Sequence, residues 1–369
     1  MVIRGLSPVA PQRFINATQF VPAHTPGLQI GGIPGRLIAP GAGDPRAWRM
    51  ASGGSSTGNR AGSIAGAPPA GGGGDAGDRH TLSNGILRID VKNVGAELTS
   101  LWSDRTGLEY LWQGNPKFWG KHAPVLFPIV GRLKGDQYTY RGKTYRMNQH
   151  GLARKMRFEM IDKTPGESIF FKLRHDEETL KSYPFKFELM IAYVLNDDEL
   201  QVGYHVENLD DEPMYFSIGA HPGFRVPLLP HERYDDYSLM WDEDVKLDRY
   251  FLEDGIIAPH AEPFLRNSRE IPLVRDMFDR DAIVLRNIKF KRVRLQNPGT
   301  GHGVTMSMLS SNFSHFGIWA KPGADFVCLE PWCGVGDLHN ASGSIKEKLG
   351  IVALPGKGIF RASYAITPS

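Results

Sequence analysis

Three stretches of this 369-residue chain place ionisable side chains at the ends of apolar runs, beside Gly or Pro. One is Phe127-Pro128-Ile129-Val130-Gly131-Arg132 together with Gln149-His150-Gly151-Leu152-Ala153-Arg154. The second is Gly219-Ala220-His221-Pro222-Gly223-Phe224, and the third is Cys328-Leu329-Glu330-Pro331-Trp332-Cys333-Gly334. Strand ends that run into tight loops are where a rigid β scaffold presents functional groups. Together they supply two imidazoles, a carboxylate, one or two guanidiniums and nearby aromatic faces. An imidazole and a carboxylate suit general acid–base chemistry when their pKa values straddle the working pH. Arg and His can bind the hydroxyls of a polyhydroxylated substrate, while Trp or Phe covers its C–H face. Singly, each has a plainer reading. His150 and His221 could be structural, Glu330 a carboxylate tied to backbone N–H groups, Arg132 and Arg154 surface ion pairs, Trp319 and Trp332 core. The functional reading rests on their joint occurrence.

Other chemistries find less support. The chain has no His-x-His or His-x-x-x-His, and His150, His221 and Glu330 are 71 and 109 residues apart, so spacing favours no metal. Cys328 and Cys333 flank Glu330, but nothing in the sequence lowers a thiol pKa there. No Gly-x-Ser-x-Gly elbow, Walker loop or Gly-rich strand-to-helix loop occurs. No cofactor is expected.

The elements that must hold these groups are strands. Ile86–Val91 alternates apolar and polar residues as a half-buried strand does. Similar runs follow at Phe187–Leu195, Glu199–Glu207, Met214–Ile218, Ala282–Leu285, Val304–Leu309, Phe326–Leu329 and Ile359–Ile366. Turn signals separate them at Asn84-Gly85, Arg141-Gly142-Lys143, Asn196-Asp197-Asp198 and Pro298-Gly299. Glu177–Ser182 reads as a single helical turn. The pattern predicts an all-β fold, a large antiparallel β-sandwich over residues 79–369.

Residues 1–78 differ in composition. They hold 17 Gly and 9 Pro, carry a net charge of +3 and include Gly71-Gly72-Gly73-Gly74, whereas the remainder is neutral overall. Such a segment buries too little apolar surface to offset its ordering entropy, so a disordered N-terminal extension is expected. Its acid-free first 43 residues, with Arg4, Arg13 and Arg36, fit an organelle leader. With no clear amphipathic helix in the segment, an extension with no structural role is the favoured reading, with Met50 as a candidate internal start. The overall charge of +3 is too small to point to nucleic acid, and no apolar stretch suits a membrane span. With no secretory core and only two cysteines, a cytoplasmic location is expected.

The ordered set of motifs resembles the aldose 1-epimerase (galactose mutarotase-like) family, and most of all its divergent branch near hexose-6-phosphate mutarotases. Besides the three stretches it includes Ser83-Asn84-Gly85, Gly95-Ala96-Glu97-Leu98-Thr99-Ser100-Leu101 and Thr106-Gly107-Leu108-Glu109-Tyr110-Leu111-Trp112. The resemblance spans residues 81–367 and implies a β-supersandwich. It also implies that His221 protonates the ring oxygen of a sugar and that Glu330 takes the proton of the anomeric hydroxyl. His150 would hydrogen-bond the sugar, Arg132 would bind its hydroxyls and Asp281 would be a substrate-binding aspartate. Arg154 would approach a phosphate or a further hydroxyl, and Trp332, beside Glu330, would bind the substrate. The implied substrate is a hexose or hexose derivative. A carbohydrate-binding protein without turnover, and a glycoside hydrolase using Asp281 and Glu330 as paired carboxylates, are the alternatives.

Overall fold

The computed structural model describes residues 78–369; the expected N-terminal extension lies outside the described residues. The chain builds an all-β antiparallel structure dominated by one 15-stranded sheet. Its order runs from Val125–Leu126 through Ile218–Ala220, Phe326–Cys333, His315–Trp319, Ile283–Arg286 and Ser238–Glu253 to Arg292–Gln296. It continues through Gly303–Met308, Ile359–Pro368, Glu199–Asn208, Phe187–Asn196 and Ser168–Arg174 to Glu159–Thr164. A four-stranded sheet spans Arg79–Ser83, Leu87–Lys92, Glu97–Ser103 and Leu108–Glu109.

The two sheets share one apolar core, as the alternating pattern requires. Leu87, Ile89 and Val91 point inward from their strand while Arg88, Asp90 and Lys92 stay partly exposed. They join a cluster that includes Leu98, Leu101, Ile169, Phe171, Ile191 and Tyr193. Tyr193 carries a hydroxyl into that core, and its O–H donates to the Ala96 carbonyl at 2.7 Å, which satisfies it. Burying each such aliphatic or aromatic side chain is worth about 1.5–3 kcal/mol. The helical turn Glu177–Ser182 forms where Asp176 caps the Thr179 N–H and the Thr179 hydroxyl accepts from the Asp176 N–H.

Phe326–Cys333 is buried along its whole length. It pairs with His315–Trp319 on one side and with Ile218–Ala220 and Gly223–Arg225 on the other. This central strand fixes the middle of the site. A hairpin of two long strands, Ser238–Glu253 and Ile256–Pro272, extends from the same sheet with its tip at Asp254-Gly255. No described helix is long and apolar enough to cross a membrane.

Candidate functional site

The two earliest motifs act as one unit because their backbones are joined. The Leu152 and Ala153 N–H groups both donate to the Phe127 carbonyl, at 2.9 and 3.1 Å. The His150 N–H donates to the Gly131 carbonyl at 2.8 Å, and the Gly131 N–H returns a bond to His150 Nδ1 at 3.2 Å. That bond makes Nδ1 the acceptor, so the neutral ring carries its proton on Nε2. Packing this tight leaves no room at Gly151, where a Cβ would sit 2.2 Å from the Phe127 oxygen.

His221 follows directly on Ile218–Ala220, and Glu330 lies in the neighbouring strand. His221 Nε2 is 3.4 Å from Glu330 Oε2. Both are deeply buried, with only 9% of His221 and 1% of Glu330 exposed. Trp119 stacks on the His221 ring at a centroid distance of 4.9 Å, and Trp319 meets it edge-on at 5.6 Å. The His150 ring stands nearly perpendicular to His221 at 5.5 Å.

These groups line a cavity of about 240 Å³, with Gln149, Arg154, Asp281, Trp332, Val335 and Gly336. That is below the roughly 300 Å³ at which drug-sized pockets begin, and suits a single small polar molecule. Buried polar atoms normally find partners. Four residues of this wall break the rule: His221 Nδ1, Glu330 Oε2, Trp332 Nε1 and Arg154 Nε have no hydrogen-bond partner. Their concentration at one cavity marks a place where a polar ligand would supply what the protein does not.

Burial sets the protonation of the site. Desolvation pushes the Glu330 carboxyl well above its ordinary range, and the charge of Asp281 pushes it further. The Trp332 indole N–H moderates that rise electrostatically, although it falls outside hydrogen-bond geometry. Desolvation also lowers His221 to about 3, with the Arg154 guanidinium adding to the effect. His150 is held well below its usual value by burial, then by His221 and Arg154. Burial thus disfavours the charged form of both imidazoles and of the Glu330 carboxyl.

Of the residues singled out in the sequence, His150, Arg154, His221, Asp281, Glu330 and Trp332 come together on this wall. Arg132 does not. Its guanidinium is tied to Asp136 by two bonds of 2.9 Å and donates to the Asp254 carbonyl at 2.9 Å. Arg154 is the guanidinium that faces the cavity, and its Nη2 donates to the Gln149 carbonyl at 2.7 Å. Asp281 adopts a left-handed backbone (φ 70°), and its Oδ1 accepts from the Ala282 N–H at 2.7 Å.

Sequence reasoning missed Trp119, which lies in a loop between strands and carries no periodic signal. It also missed Leu252, Gly255 and Ile257, which the long hairpin brings to the cavity. The Asp254-Gly255 pair was a usable hairpin signal for them. His221, Cys328 and Glu330 have donor atoms within 4.8 Å of one another, the one such grouping among the described residues. Linear spacing could not reveal it, since Cys328 and Glu330 share a strand face and His221 arrives from another strand. Burial raises the Cys328 thiol well above its ordinary value, which keeps it protonated.

Comparison with known proteins agrees with this architecture. A family model described as aldose 1-epimerase matches residues 78–333. The plasmid-encoded LacX protein of Lactococcus lactis subsp. lactis is 33% identical over 296 residues, covering 78% of this chain and 98% of LacX. A crystal structure of a galactose mutarotase related enzyme from Lactobacillus acidophilus is 36% identical. It superposes with a TM-score of 0.74 over 79% of this chain and 97% of its own. A galactose mutarotase-like protein from Lactobacillus casei ATCC 334 is 32% identical with a TM-score of 0.71, over 79% of this chain and 100% of that one. By the family match and by these relatives, the chain belongs to the aldose 1-epimerase family.

Proposed function

We propose that the cavity binds a hexose or hexose derivative and interconverts its α and β anomers by opening and reclosing the ring. The observation that carries this reading is the His221 Nε2 to Glu330 Oε2 separation of 3.4 Å inside a buried, indole-walled cavity. Ring opening removes a proton from the O1 hydroxyl and delivers one to the ring oxygen. The aldehyde then turns about C1–C2, and the two transfers reverse. Atoms balance with no redox change and no covalent adduct.

Glu330 takes the O1 proton and His221 gives one to the ring oxygen. Before opening, the pair is then carboxylate and imidazolium; after opening, it is carboxylic acid and neutral imidazole. The second state is the one that burial favours. A low-dielectric cavity thus supports the protonation state that accompanies the open chain, the less stable form of the sugar. His150, with its proton on Nε2, serves as a hydrogen-bond donor to the sugar. Arg154 and Asp281 bind hydroxyls, and Trp119, Trp319 and Trp332 supply faces for the C–H surface. A positioned acid or base contributes about 10²–10⁴-fold each.

The test is NMR exchange between anomers, screened over free hexoses and hexose 6-phosphates. Exchange above the buffer rate that scales with enzyme and saturates with sugar supports the reading. Saturable sugar binding with no added exchange replaces it with a carbohydrate-binding function. Release of reducing sugar from a glycoside replaces it with hydrolysis by Asp281 and Glu330.

A further inference from the structure

We propose that Arg132 is a positioning residue: held by Asp136, its guanidinium clasps the tip of the long hairpin and so fixes the wall that this tip gives to the cavity. This differs from the hydroxyl-binding role that the family resemblance implies for it.

The side chain is committed on two sides. Nε and Nη2 engage the two oxygens of Asp136 at 2.9 Å each, the fork-to-fork geometry that orients a guanidinium most firmly. Nη1 then donates to the Asp254 carbonyl at 2.9 Å. Asp254 and Gly255 form the two-residue turn of the hairpin, with φ of 52° and 77°, the left-handed pair of a type I′ turn. The arginine stem packs on that turn, since a Cβ at Gly255 would lie 3.1 Å from Arg132 Cδ.

The residues around the turn face the cavity: Leu252, Gly255 and Ile257 line it opposite chemistry supplied by other strands. The ladder leading to the tip is irregular, with four register shifts between the two hairpin strands. A tip on such a ladder needs an anchor outside the hairpin. One is the two-bond backbone bridge at Ile257, whose N–H donates to the Asp337 carbonyl at 2.9 Å and whose carbonyl accepts from the His339 N–H at 3.1 Å. Arg132 provides the other, and its own carbonyl accepts from the Asp337 N–H at 2.9 Å, so both anchors converge on one strip of chain.

The clasp is tested with Asp136→Asn, Arg132→Gln and the double variant, in two measurements. Hydrogen exchange of the 252–257 segment, read without sugar, is expected to quicken on the order of fivefold in each single variant, as loss of a partly exposed ion pair would give. The double variant is expected to be no faster than either single. Only the kinetic measurement rests on the anomer-exchange reading: KM rises alike in both single variants while kcat stays within about twofold. Asp136→Asn preserves shape, and an unchanged melting midpoint shows that it is folded. Unchanged exchange at 252–257 in both single variants overturns the clasp. A KM effect confined to Arg132→Gln also overturns it, in favour of direct hydroxyl contact. If the protein has no anomer exchange at all, the hydrogen-exchange measurement still decides the clasp, while the functional reading falls.

Discussion

Replacing Glu330 with Gln separates catalysis from folding, because burial makes the two effects run in opposite directions. Glu330 is 1% exposed and its Oε2 has no hydrogen-bond partner in the protein. Bulk water cannot easily take over as proton acceptor at such a site. Glu330→Gln is therefore expected to cut anomer exchange by at least about 10²-fold, and toward 10⁴-fold. On the proposed reading the sugar is held by His150, Arg154, Asp281 and the indoles, so KM is expected to stay near the parent value.

Stability moves the other way. The folded carboxyl has a pKa well above its ordinary range, so it holds a proton that the unfolded chain releases above about 4.5. Its contribution to parent stability is complete below that value and declines as pH rises toward the folded pKa. The slope is about 1.4 kcal/mol per pH unit for one proton. The amide of the Glu330→Gln variant does not titrate, so that variant has no such decline. The melting midpoints of variant and parent should nearly coincide at pH 4.5, with the variant pulling ahead on the order of 2 °C per pH unit above it. Polarimetry on freshly dissolved α-glucose and α-galactose gives the rate, and calorimetry from about pH 4.5 to about pH 8 gives the midpoints. Near-parent turnover in the variant would refute the role of Glu330, and a variant that falls behind the parent as pH rises would refute the desolvation.

Three further outcomes are expected. Burial holds His122, His205 and His315 at about 4 and His221 at about 3, all neutral in the fold. The unfolded chain binds the extra protons below 6.5, so the melting midpoint should drop steadily from pH 6.5 to 4; a flat profile counts against neutral burial. Lys348 Nζ meets Asp337 Oδ1 at 2.9 Å and the Val335 carbonyl at 2.6 Å, all in the interior. Lys348→Met would leave the Asp337 carboxylate buried and unpaired, at a cost of about 3–5 kcal/mol in denaturant unfolding, partly recovered by adding Asp337→Asn. Gly151→Ala would drive a Cβ into the Phe127 carbonyl at a left-handed residue (φ 73°). It should destabilise by about 2 kcal/mol or more and raise KM through His150, whereas an unchanged KM would mean that the loop relaxes without moving the imidazole.

Much of the scaffold was legible in the residues because its strands are buried on a regular pattern. The expected runs Phe187–Leu195 and Glu199–Glu207 appear as Phe187–Asn196 and Glu199–Asn208, and the helical turn Glu177–Ser182 falls on the residues expected. The hairpin of Ser238–Pro272 escaped notice because it is largely exposed. Its strands lack the alternating apolar face that burial imposes, and Pro259 and Pro263 argue locally against a strand. Arg132 shows a different limit. An arginine after a glycine at a strand end reads the same whether it faces a ligand or a carboxylate four residues on. Asp136 is near in sequence, but the carbonyl of Asp254 becomes a partner only when a turn 122 residues away is in place.

The same reasoning explains why the acid–base pair could be named but its resting state could not. Residue types gave an imidazole and a carboxylate, and their ordinary pKa values would leave the carboxylate charged at neutral pH. The fold puts both in an interior where neither charge is solvated, and their 3.4 Å separation offers one short path for a shared proton. On the proposed reading, a cavity that resists charge separation raises the energy of the charged pair poised to open the ring. It lowers that of the pair left once the ring has opened. Sugar hydroxyls that hydrogen-bond the carboxylate work against this bias. On the proposed reading, the balance between those two effects determines how long the open chain persists, and hence how freely the two anomers exchange.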